Sequence, residues 1–100
     1  YPIISAYANF YKQLNILHFD FDGPVYVSID LDALDPAFAP GVSHPEPGGL
    51  STRDLLTILS TANGEVVEGD IVEYNPKKDF QNTTAVLASK ILKELMSKMI

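Results

Sequence analysis

The sequence predicts an α/β domain built on a small parallel sheet of roughly three strands. Three observations carry that expectation. The run "PVYVSIDL" (24–31) is rich in Val, Ile and Tyr, which marks a buried strand. "STRDLLTILSTA" (51–62) places apolar residues at helical spacing, and "VVEGDIVEY" (66–74) returns to strand composition. Strand, helix, strand in that order is a βαβ unit, and its two strands run parallel.

Each element has its own signal. In "YPIISAYANFYK" (1–12), Ile4, Tyr7 and Tyr11 share helical spacing, which predicts a helix. "LNILHFD" (14–20) is short and apolar and reads as a strand. Residues 32–50 read as a long loop, punctuated by Pro36, Pro40, Gly41, Pro45, Pro47, Gly48 and Gly49. Ser51 is positioned to cap the helix that follows, with Asp54 at the matching capping-box position. Its apolar stripe is Leu55, Ile58 and Leu59, and Asn63-Gly64 closes it. Asn75-Pro76 ends the last strand. A final helix is predicted over 82–97, with Val86, Leu87, Ile91, Leu92, Leu95 and Met96 on one broad face.

Bulk composition narrows the function classes. One hundred residues make one domain or a part of one, and Tyr1 in place of Met suggests a partial or processed chain. The first residues hold no basic stretch of a signal peptide, and no apolar run reaches membrane-spanning length. There is no cysteine, hence no disulfide and no thiolate metal site. The net charge of −6 argues against nucleic-acid or anionic-membrane partners and permits metal cations and cationic substrates.

The acids gather where strands end. The first predicted strand ends at Asp20, the second at Asp30 and Asp32, and the third at Glu73. In open parallel sheets ligands bind beyond the carboxyl ends of the strands. Asp30 and Asp32 are two apart, so in extended backbone they share a side and repel unless a cation lies between them. Carboxylates of this kind suit Mg²⁺ or Mn²⁺. A carboxylate at Glu73 is equally a solvated strand end or a partner for a guanidinium, the best geometric match for paired hydrogen bonds. Asp35-Pro36 reads as a turn opening. His18, in the first strand, reads as a packed residue, and His44 in the loop is left open.

"SIDLDALDPAFAPGVSHPEPGGLSTRDLL" closely resembles the signature of the ureohydrolases, the arginase and agmatinase family, and "GDIVEYNPKKD" resembles that family's following block. The likeness is greatest to plant-type arginases and covers the C-terminal part of the family over 24–98. It implies a three-layer α/β/α fold, here in a partial version of one domain spanning 1–100. It implies Asp20, Asp30 and Asp32 as ligands of a binuclear Mn²⁺ centre and Glu73 as the guanidinium-binding carboxylate. It implies hydrolysis of a small guanidino substrate: arginine to ornithine and urea, or agmatine to putrescine and urea. A homo-oligomer is implied too, in an intracellular setting with mitochondrion, plastid and cytoplasm all open.

The N-terminal part departs from the family pattern. Asp20 is followed by Phe21-Asp22-Gly23-Pro24, without the histidine and closing aspartate of the metal motif. The expectation is an internally deleted and N-terminally shortened ureohydrolase, with residues 1–20 preceding the deletion. The alternative function class is a catalytically dead module kept for binding or assembly.

Overall fold

The computed structural model describes residues 3–5 and 19–99, with side chains described from Asp22 onward except Asn63. Three parallel strands form one sheet in the order β1 (Ile3–Ser5), β2 (Phe19–Asp30), β3 (Ala62–Val72). Helix α1 (Thr52–Thr61) crosses from β2 to β3, and α2 (Thr83–Ser97) follows β3. The βαβ unit and the small parallel sheet thus stand as expected.

The N-terminal expectations fare differently. Ile3–Ser5 is strand where a helix over 1–12 is predicted, and it pairs with Tyr26–Ser28 of β2. A row of β-branched and small residues fits a strand against an existing edge better than an isolated helical turn. Residues 1–2 and 6–12, and residues 14–18 of the strand predicted over 14–20, His18 among them, lie outside the described residues. Phe19 and Asp20 do not form a separate strand, because β2 runs on without a break from Phe19 to Asp30. Its ladder with β3 slips between Asp20 and Pro24, where Gly23 takes φ +82°. A glycine in that conformation absorbs the irregularity without a Cβ clash.

Alternation along β2 sorts its side chains. Val25, Val27 and Ile29 are buried on one face beneath both helices, together with Leu55, Ile58 and Leu59 of α1 and Leu87, Ile91 and Leu95 of α2. Each such side chain contributes roughly 1.5–3 kcal/mol of burial. Tyr26, Ser28 and Asp30 alternate onto the other face, opposite Glu68, Asp70 and Val72 in register. The described residues therefore supply a helical layer on one face of the sheet.

The helix ends follow their caps. The Asp54 N–H donates to Ser51 Oγ and the Ser51 N–H to Asp54 Oδ2, both at 3.0 Å, completing the predicted capping box. α2 begins differently. Asn82 sits in left-handed backbone and its side chain caps nothing, while Asp79 accepts from the N–H groups of Thr84 at 2.9 Å and Ala85 at 3.1 Å. Only part of α2's predicted apolar face is buried: Leu87, Ile91 and Leu95 are, whereas Val86, Leu92 and Met96 are exposed.

Candidate metal and guanidinium site

The site lies at the carboxyl ends of β2 and β3. Asp30 is the last residue of β2 and stands opposite Val72, the last of β3, so Glu73 emerges at the same end of the sheet as Asp30. The strand stops at Asp30 for a local reason. Asp30 Oδ1 accepts the Asp32 N–H at 2.9 Å and caps a 3-10 turn over Leu31–Ala33. Asp32 thus sits in that turn and not on an extended strand, which corrects the expected side-by-side geometry. The turn still keeps the two carboxylates close enough to repel.

Asp32 bears the cost of this arrangement. Its Oδ1 is buried without a hydrogen-bond partner. Burial and the neighbouring Asp30 charge push its carboxyl above the usual range, and the His44 ring and backbone pull it part of the way back. A shielded carboxylate oxygen with no donor has the chemistry of a cation ligand. In donor type the pair fits a hard divalent ion such as Mn²⁺.

Asp20 does not join them. It lies near the other end of β2, ten residues from Asp30, roughly 30 Å away at strand rise. The three expected carboxylates are thus divided along the chain, with Asp30 and Asp32 at the carboxyl end of β2 and Asp20 near its start. The continuous path of β2 through Pro24 is the physical reason. Among the described residues, no group of three or more His, Cys, Asp or Glu side chains is placed to hold an ion.

Glu73 is exposed and has φ +71°, left-handed backbone that is uncommon for a residue with a Cβ. This ends β3 at Val72, one residue before the predicted acid. Strained backbone of this kind gathers at functional sites. The neighbouring chain is fastened on both sides. The Asn75 N–H donates to Gly41 O at 2.7 Å, and Val42 bridges Tyr74. Lys78 Nζ donates to Ser43 O at 3.0 Å. These bonds hold the Pro/Gly loop beside the strand ends, with His44 exposed on it.

Asp35 plays the structural part expected of it. Its carboxylate accepts the N–H groups of Ala37 and Gly48, both at 2.9 Å, and these donors hold its carboxyl below the usual range. The sequence reading missed Asp70, whose carboxylate accepts the hydroxyls of Tyr26 and, at 2.7 Å, Ser28. Those hydroxyls alternate with Asp30 along one face of β2, and that alternation was the available signal.

Carboxylates thus gather at the carboxyl end of a small parallel sheet, and comparison with known proteins gives the family. A model of the Arginase family matches residues 21–97, and the chain belongs to that family. The mitochondrial arginase of Medicago truncatula is 58% identical over 76 residues, which are 75% of this chain and 22% of that relative. The putative agmatinase 1 of Schizosaccharomyces pombe is 49% identical over 80 residues, 79% of this chain and 20% of that one. Among solved structures, a triple mutant of the T. brucei arginase-like protein bound with Mn²⁺ has a TM-score of 0.77 and 47% identity. That match covers 84% of this chain and 30% of the T. brucei chain. The chain thus spans about a fifth of the length of the curated relatives it matches. The arginase-like fold implied by the sequence is the fold observed.

Proposed function

We propose that this chain carries the carboxylate part of a manganese-dependent arginase site, acting on arginine to give ornithine and urea. Asp30 and Asp32 hold a metal ion, and Glu73 receives the substrate guanidinium through paired hydrogen bonds. The observation that carries this reading is Asp32 Oδ1, buried beside a second carboxylate with no donor of its own. A bound Mn²⁺ supplies Lewis acidity and an activated water at that place. The protein's own residues orient and bind: the 3-10 turn fixes the pair, and the left-handed backbone at Glu73 turns the chain at the strand end. Arginine is favoured over agmatine because the Medicago arginase is the more similar relative, 58% against 49% identical. Residence in an organelle, as the mitochondrial Medicago relative is named, belongs to the same reading.

The test is a Mn²⁺ titration by calorimetry on the wild type, Asp30→Asn and Asp32→Asn. The wild type binds, and each variant loses at least tenfold in affinity. Without metal, Asp32→Asn melts higher than wild type, because a neutral amide is cheaper than a charge in that position. Equal Mn²⁺ affinities in all three proteins would sink the assignment.

A further inference from the structure

The ladder between β2 and β3 does not keep one register. Val25 pairs with Val66 but Tyr26 pairs with Glu68, so β3 carries one extra residue, Val67, at that point. Beyond this bulge the ladder has five rungs, from Tyr26 against Glu68 to Asp30 against Val72. Those rungs decide where Asp30 stands relative to Glu73. A slip of one residue would set Asp30 beside Ile71 or Glu73 and turn the side chains of β3 over to the other face. The helix-facing residues of β3 in this stretch are Gly69, under Leu95, and partly buried Ile71. Gly69 has no side chain to interlock with the core, so that face alone marks the register weakly.

The opposite face carries the grip. The carboxylate of Asp70 accepts the hydroxyl of Tyr26 on one oxygen and that of Ser28, at 2.7 Å, on the other. Ser28 is its partner in register, and Tyr26 lies two residues back on the same face, so one carboxylate spans two alternate residues of β2. A slip in either direction breaks at least one of these charge-assisted bonds.

We propose that Asp70 is a positioning residue of the metal and guanidinium site: by gripping Tyr26 and Ser28 it fixes the register that sets Asp30, and Asp32 in the turn it caps, against Glu73. It touches neither the ion nor the substrate and acts through the strand that carries Asp30. The inference rests on the reading of Asp30 and Asp32 as metal holders and of Glu73 as the guanidinium acceptor.

The test measures Mn²⁺ affinity by calorimetry and arginine-induced chemical shifts on the 100-residue chain. Tyr26→Phe combined with Ser28→Ala removes both donors and leaves the Asp70 charge in place. This double variant is expected to lose roughly tenfold in Mn²⁺ affinity, the low end for groups that orient metal ligands, and to weaken the arginine shifts. Asp70→Ala loses as much, and adding it to the double variant costs nothing further, because the three side chains act as a unit. Ser28→Ala alone loses part of the affinity, and Ser28→Thr, which restores the hydroxyl, recovers it. Ile58→Val, in the buried face of α1, lowers stability in urea and leaves both kinds of binding unchanged. Circular dichroism checks each fold, and the comparison of Ser28→Ala with Ser28→Thr carries the test if the double variant unfolds. Full Mn²⁺ affinity and full arginine shifts in the double variant overturn the proposal. So does a loss confined to Asp70→Ala, which would make its charge and not the register the cause, or an equal loss in Ile58→Val. A wild-type chain that binds neither Mn²⁺ nor arginine overturns the reading of the site itself, and this inference with it.

Discussion

Glu73 combines a position at the sheet's carboxyl end with backbone that a side chain opposes. Left-handed backbone costs a residue with a Cβ roughly 1–2 kcal/mol, and glycine escapes most of that. Glu73→Gly is therefore expected to raise stability in urea by about 0.5–1 kcal/mol. The same change removes guanidinium binding, read as loss of arginine-induced chemical shifts. A loss of stability would show that the backbone at this position carries no strain. The residue type and its place beside Asn75-Pro76 were legible in the sequence. Its φ was not, because the turn is set by the hydrogen bond from Asn75 to Gly41, between residues far apart in the chain. Asp30 shows the same limit. Its acidity was plain, but the strand and the turn compete for it, and a two-residue hydrogen bond to Asp32 decides in favour of the turn.

At the scale of elements, α1 was legible because its capping box and apolar stripe are local, four-residue features. The boundaries of β2 were not, because extension through Gly23 and Pro24 depends on the ladder with β3. The start of α2 rests on Asp79. Burial pushes that carboxyl up, but the N–H groups of Thr84 and Ala85, the Thr84 hydroxyl and the Tyr74 hydroxyl outweigh it and hold it far below the usual range. The contribution of a carboxylate depressed in this way is present above its unfolded value, about 3.9, and is lost as pH falls below it. Thermal melts of the wild type are expected to drop as pH is lowered from 5 to 3. Asp79→Asn should melt lower at pH 7 and show a shallower decline, and an unchanged slope would remove Asp79 from this role. α2 also needs Gly69. A Cβ there would lie 2.7 Å from Leu95 Cδ2 and 2.8 Å from Val27 O, one of them backbone that cannot yield. Gly69→Ala is expected to cost about 1–3 kcal/mol by overpacking, measured by urea unfolding. A change under about 0.5 kcal/mol would mean that α2 is free to shift away from the sheet.

At the scale of the whole molecule, the distribution of donors decides what the chain can do alone. We expect this 100-residue chain by itself to release no urea from arginine or agmatine above background. Hydrolysis through a binuclear centre requires carboxylates and imidazoles around both ions, and a proton donor for the leaving amine. The fold brings Asp30 and Asp32 together and sets Glu73 at the same end of the sheet. It leaves Asp20 at the far end of β2, with exposed Asp22 close behind it. His44 is the one described histidine, and it acts on Asp32, which the ion itself would engage. The guanidinium binding proposed for Glu73 would not change this, because binding that is equal in ground and transition states does not accelerate a reaction. The measurement is a colorimetric urea assay with excess Mn²⁺ at alkaline pH, run beside Asp32→Ala as the blank. Manganese-dependent urea above that blank would show that Asp30 and Asp32 recruit further ligands from elsewhere in the chain. In that case the chain's own donors complete the site without the rest of an arginase-family domain.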